Sequence, residues 1–293
     1  MSDRTEPTTA YLETPGATIA YDMHGPAPAD APRPLLLVGQ PMTADGFATL
    51  AAHLPDRPVV TYDPRGLGRS TRDDGSTQHR PEQQAEDLHL LIGELGAGPV
   101  DVFGSSGGAV TALALVAAHP DDVVTLVAHE PPLLSLLPDA GAALAAMEHV
   151  THVYRERGWG AGMAAFIALT SIEGEIPADF ASLVPGPEAF GLPAGDDGSR
   201  DNPLLSGDAA PVSGYRPDPA TLLASGTRLV LAVGERTGDA LTARTTAALA
   251  RALGLEPTSF PGDHGGFLGG EYGQVGEPAA FAARLREVLA GAG

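Results

Sequence analysis

The chain has 293 residues, 43% hydrophobic and 18% charged, and its 37 Asp and Glu against 17 basic residues leave a formal charge of −20. All 17 basic residues are Arg and there is no Cys, which excludes a Schiff-base or P-loop lysine, disulfides, thiolate nucleophiles and Cys-ligated zinc or iron–sulfur clusters. The negative field opposes contact with nucleic-acid phosphates and anionic membranes, and 5% aromatic residues are too few for a base-stacking platform.

From the N-terminus, Met1-Ser2-Asp3-Arg4 lacks the basic-then-apolar pattern of a secretory leader. The longest apolar runs, Ala109 to Ala118 and Val123 to Ala128, fall well short of the ~20 residues that span a bilayer. The expectation is a soluble cytoplasmic protein, monomer or homo-oligomer, with neither nucleic acid nor membrane as a partner. Tyr11 to Met23, broken at Pro15-Gly16, predicts an antiparallel hairpin on a sheet edge. Short apolar runs then predict buried parallel strands at Leu35 to Val38, Val59 to Tyr62, Val100 to Phe103, Val123 to Ala128 and Leu229 to Val233, with a last short strand at Thr258 to Phe260. Helical stretches alternate with them: Ala44 to Leu54, Pro81 to Leu95, Ser106 to His119, Leu241 to Leu253 and Pro278 to Leu289. Such alternation predicts an α/β fold, a mostly parallel central sheet with helices on both faces.

Between about Pro131 and Gly226 the alternation stops. Two helical pieces, Ala140 to Tyr154 and Gly160 to Leu169, precede a Pro-, Gly- and Asp-rich stretch from Ile176 to Pro219. Flanked by strands, this segment reads as a helical cap inserted into the sheet domain. The division expected is residues 1–130 with 227–293 as the core and 131–226 as the cap. The cap's aromatic residues are expected to pack its own small core, with Trp159 and Phe166, together with Met42, as candidates to touch a substrate. Gly158, Gly160 and Gly162 around Trp159 predict a mobile segment.

The strongest chemical signal is Gly104-Ser105-Ser106-Gly107-Gly108, directly after a predicted strand and opening a predicted helix. A sharp strand-to-helix turn strains its central Ser, and positions two before and two after must lack side chains. Gly104 and Gly108 meet that demand around Ser106; centring the turn on Ser105 would put Phe103 where a small residue is needed. The backbone N–H of Gln40, in the turn after the first parallel strand, and that of Gly107 are candidate donors to an oxyanion. His264, on the glycine-flanked loop Gly262-Asp263-His264-Gly265, suits a general base because imidazole titrates near neutrality. His149 and His152 share a helix face without a third ligand nearby and read as surface decoration; His24, His53, His79, His89 and His119 read as structural or solvated.

The order elbow, insertion, late His, together with Asp63-Pro64-Arg65-Gly66-Leu67-Gly68-Arg69-Ser70 after the preceding strand, resembles the α/β-hydrolase fold superfamily from about Tyr11 to Leu289. The resemblance makes Asp63 and Arg65 buttresses of a structural loop. Two departures stand out. The family's usual His-Gly at the first turn is Val38-Gly39 here, and its usual acid position after the seventh strand is Thr237, which holds no charge. Glu130, after the sixth strand, occupies the place where certain haloalkane dehalogenases carry their acid; Asp239, read as the cap of a helix starting at Ala240, is the alternative, with Glu235 behind it. His129 is expected on the opposite side of the strand end from Glu130, as packing. The resemblance implies a serine hydrolase of a carboxylic ester or related acyl bond, acting through Ser106, His264 and Glu130 on a neutral small molecule with no cofactor or metal. A lyase or cyclase on the same fold, or a catalytically silent binding protein, are the alternatives.

Overall fold

The computed structural model describes residues 7–26 and 32–291. An antiparallel hairpin of β1 (Thr8–Thr14) and β2 (Ala17–His24) leads into β3 (Leu35–Val38), β4 (Val59–Tyr62), β5 (Val100–Ser105), β6 (Val123–His129), β7 (Arg228–Gly234) and β8 (Thr258–Phe260). These pair into one sheet in the order β1-β2-β4-β3-β5-β6-β7-β8. Strand β2 runs antiparallel to β4, and every pairing from β4 to β8 is parallel. Between the strands run α1 (Ala48–Ala52), α2 (Pro81–Leu95), α3 (Gly107–Ala118), α4 (Ala140–Thr170), α5 (Phe180–Leu183), α6 (Ala210–Gly214), α7 (Pro219–Ala224), α8 (Leu241–Leu253) and α9 (Pro278–Leu289).

The period-two alternation of a strand sends successive side chains to opposite faces, and here both faces are covered. Leu36 and Val38 of β3 join Val102, Leu126 and Leu231 in a cluster with apolar residues of α2, α3 and α8. Leu35 and Leu37 point the other way, into a second cluster with Phe103, Val127 and residues of α1 and α9. Strands buried on both sides therefore lack any polar alternation, which is why they read as continuous apolar runs. The helix ends are equally local in origin. Pro81 opens α2 with its fixed φ, and Gly96 closes it in the left-handed region at φ 61°.

Four expectations need correction. The stretch from Ala44 splits into a 3-10 turn, Ala44–Phe47, followed by the short α1. Helix α3 starts at Gly107, with Ser106 as its cap residue rather than its first turn. Asp239 does not cap α8: the helix spans Leu241–Leu253 as expected, Ala240 holds its cap position, and the Asp239 side chain makes no capping bond. The two helical pieces expected between Ala140 and Leu169 are one helix, α4, kinked where Gly158 takes φ 82° and ψ −173°.

The glycines around Trp159 also turn out to serve close packing. A Cβ on Gly160 would collide with the Pro193 carbonyl oxygen, one on Gly162 would meet Tyr154 at 2.6 Å, and one on Gly158 would collide with Asp196. Residues between β6 and β7 build their own apolar cluster, in which Val150, Tyr154, Ala161 and Leu169 of α4 meet Phe180 and Leu205. Among the described residues no helix is long and apolar enough to cross a membrane.

Candidate active site

The carboxyl edge of the parallel strands gathers the residues singled out from sequence: Gln40 after β3, Ser106 after β5, Glu130 after β6 and His264 after β8. In an open α/β sheet this edge is where ligands bind. Ser106 stands between strand and helix at φ 56° and ψ −128°, a region that a residue with a side chain enters only when its surroundings force it. The force comes from glycine packing. A Cβ on Gly104 would lie 2.8 Å from the Ala109 Cα, and one on Gly108 would collide with the Val38 carbonyl. Close approach of α3 to β3 and β5 thus requires both glycines and bends the chain at Ser106.

The Ser106 N–H donates to the His129 carbonyl at 2.9 Å, tying the elbow to the end of β6. Gly107 opens α3, whose first N–H groups have no partner within the helix. Gln40 packs along it: a Cβ on Gly107 would lie 2.6 Å from the Gln40 carbonyl oxygen and 3.1 Å from its Cβ. The two backbone donors proposed from sequence are therefore neighbours.

Glu130 is fully buried, at φ 50°. Its Oε2 lies 2.7 Å from His264 Nδ1 and accepts from the Thr242 hydroxyl at 2.7 Å. Its Oε1 accepts from the Gly234 N–H at 2.9 Å and from the Thr237 hydroxyl at 2.5 Å. Burial pushes this carboxyl up, but the hydrogen bond from His264, the charges of His264 and His129 and the Thr237 hydroxyl outweigh burial and hold it well below the usual carboxylate range. A charge so placed needs all four donors, since a buried carboxylate short of partners would protonate instead. Asp239 and Glu235 are both exposed, and among the described residues neither side chain bonds to His264.

Thr237, Thr242 and the Gly234 N–H are the components that sequence reasoning missed. The signal was present at Thr237, where the usual acid position holds a hydroxyl. His129 does lie in packing, but with more connections than expected. Its ring is fully buried among Phe103, Phe267 and Phe281, and its Nδ1 is 3.2 Å from the Ser105 hydroxyl. The ring also stacks on that of His264, centroids 5.9 Å apart. Burial drives its pKa down to about 4, against the opposing pull of Glu130. Ser106, through its N–H, and His264, through its ring, both adjoin this one residue.

Asp63 and Arg65 act as struts. Asp63 accepts from the N–H of Ala44 and from Arg69, while Arg65 is clamped by both oxygens of Asp87 at 2.8 and 2.6 Å. Met42 packs against the α1/α9 cluster, and Trp159 and Phe166 are half-buried against the α4 cluster. A cavity of about 700 Å³ opens between the first half of α4 and residues 204–213, lined by Leu144, Met147, Thr151, Arg155 and Leu204. Met42, Trp159, Phe166 and Ser106 are not in its wall.

A doubly covered, mostly parallel sheet with a strained serine elbow and a carboxylate–imidazole pair on its carboxyl edge has the architecture of the alpha/beta hydrolase fold. The chain belongs to the alpha/beta hydrolase fold family, whose sequence profile matches residues 35–184, just over half of it. It is 41% identical over 127 residues to the uncharacterized hydrolase YraK of Bacillus subtilis (strain 168); the match covers 43% of this chain and 45% of that protein. It thus spans less than half the length of that curated relative. Among solved structures, it resembles a thermophilic esterase from Thermogutta terrifontis (TM-score 0.63, 22% identity, 98% of this chain and 99% of that one). It likewise resembles a carboxylesterase structure from Nitrososphaera gargenis (TM-score 0.60, 16% identity, 96% and 97%). At these identities the likeness speaks for the fold.

Proposed function

We propose that the chain is a serine hydrolase of acyl compounds, with carboxylic esters as its substrate class. The observation that carries this reading is the 2.7 Å contact between His264 Nδ1 and the buried, ionised Glu130, on the same sheet edge as the strained Ser106. Ser106 Oγ attacks the carbonyl carbon while His264 Nε2 takes its proton. The oxygen of the tetrahedral intermediate accepts from the N–H groups of Gln40 and Gly107. His264 then hands the proton to the leaving alkoxide, and water, activated by the same imidazole, releases the acid. Glu130 accepts the Nδ1–H throughout. It fixes the tautomer and stabilises the imidazolium without itself becoming protonated. Residues 131–226 serve as the cap, with Met42, Trp159 and Phe166 on the substrate side, and the charge of −20 favours neutral substrates over anionic ones.

A serine-directed fluorophosphonate probe tests the assignment. Wild type should label and Ser106→Ala should not. Labelling that persists in Ser106→Ala would take the nucleophile's role from Ser106, and wild type that never labels while binding esters tightly would point to a silent binding protein.

A further inference from the structure

Two neighbouring elements each carry a carboxylate and an imidazole three residues apart: Glu86 and His89 in α2, and His119 and Asp122 where α3 runs out toward β6. In α2 that spacing puts Glu86 and His89 on one face, while His119 and Asp122 are brought together by the 3-10 turn Pro120–Asp122. The pairs cross between the elements. His89 Nδ1 lies 2.6 Å from Asp122 Oδ2, and His119 Nε2 lies 2.8 Å from Glu86 Oε1. The two imidazole rings stack with centroids 3.8 Å apart and planes 7° from parallel. One ligand atom from each of His89, His119 and Asp122 falls within 4.8 Å of the others.

Two nitrogen donors and one oxygen donor thus converge from two elements, and Glu86 stands beside them as the hydrogen-bond partner of His119. Among the described residues no arginine pairs with Glu86 or Asp122, whose side-chain partners are the imidazoles alone. The side chains are partly open to solvent, so an ion has a way in. Imidazole with carboxylate suits the borderline transition ions, whereas magnesium and calcium prefer all-oxygen sites. His119 lies 13 residues after Ser106, beyond the far end of α3; at 1.5 Å per residue the cluster is about 20 Å from the elbow.

We propose that His89, His119 and Asp122, with Glu86 holding the His119 ring, form a binding site for a divalent transition-metal ion of the zinc class, which ties α2 to the turn between α3 and β6. The ion would draw three protein bonds of about 2.0–2.2 Å, the two rings turning out of their parallel stack so that the in-plane lone pair of each meets it. Because it is remote from Ser106, the site adds stability rather than chemistry, in proportion to metal occupancy.

The test uses the full chain without a histidine tag, titrated with zinc chloride by calorimetry and followed by thermal unfolding, with magnesium chloride alongside. One zinc per chain is expected, with a higher unfolding midpoint that a chelator reverses and magnesium does not reproduce. His89→Ala and His119→Ala should each weaken zinc binding by at least about tenfold, while His149→Ala, in the other histidine pair, leaves it unchanged. Absence of 1:1 uptake overturns the proposal, as does uptake indifferent to His89→Ala and His119→Ala. If either variant folds poorly, an anomalous difference map from wild-type crystals grown with zinc decides: a peak between α2 and the α3–β6 turn supports the site, and zinc elsewhere or nowhere removes it.

Discussion

Thr237 stands where the fold's usual acid would be, and its hydroxyl bonds to the buried Glu130 carboxylate. In the proposed function the acid is Glu130 at the end of β6, and the Thr237 hydroxyl is one of its donors. Two outcomes follow at this scale. Glu130→Gln keeps shape but loses the charge that holds the His264 tautomer, so ester turnover should fall by roughly 10³–10⁴. Asp239→Asn, an exposed residue, should leave it nearly unchanged; steady-state rates on one ester compare them, and the reverse pattern would transfer the acid's role. Thr237→Val keeps the volume and removes a hydrogen bond to a buried charge, worth about 1.5–3 kcal/mol. Urea unfolding of Thr237→Val at pH 7 should show a loss in that range, and a midpoint equal to wild type would mean that Glu130 does not depend on this donor.

At the level of elements, the parallel strands and α2, α8 and α9 were legible because their signals are local. Four-residue apolar runs bounded by turn residues give β3 and β4, and Pro81 and Gly96 bracket α2. The same locality explains the errors. Gly158-Trp159-Gly160 carries two of the strongest helix-weakening residues, so the sequence reads as a break. The helix nonetheless resumes after the kink because Gly160 packs against the Pro193 backbone, a partner that periodicity cannot see. The acid was ambiguous for a related reason: the donors to Glu130 arrive from β7 and α8, more than a hundred residues away. Two glycines of α4 test the packing argument. Gly160→Ala drives a methyl into backbone and should cost about 1–3 kcal/mol. Gly141→Ala, where a methyl meets nothing within 4 Å, should be neutral or stabilise by up to about 1 kcal/mol. Denaturant midpoints report both, and equal effects would mean that the α4 glycines are not packing contacts.

For the molecule as a whole, the buried His129 makes stability depend on pH in a window separate from that of Glu130. Burial lowers its folded pKa to about 4, from an ordinary value of 6.5. Between these values the unfolded chain binds the proton and the native state does not, so stability must fall as pH drops from 6.5 toward 4 and level off below. The shift corresponds to about 3 kcal/mol at 1.36 kcal/mol per pH unit. Glu130, whose folded pKa lies below its unfolded value, acts with the same sign lower down: its contribution is complete above about pH 4.5 and is lost as pH falls below that. His24, His79 and His149, also lowered by burial, add to the slope in the upper window. A difference measurement isolates His129. His129→Phe keeps a ring among Phe103, Phe267 and Phe281 and removes the titrating group, leaving the Ser105 hydroxyl without its imidazole partner. The variant should therefore be less stable than wild type at pH 7, and the gap should close by about 3 kcal/mol as pH falls from 7 to 4. Chemical unfolding at several pH values is the measurement. A gap that stays constant from pH 7 to pH 4 would mean that His129 is not held neutral in the folded protein.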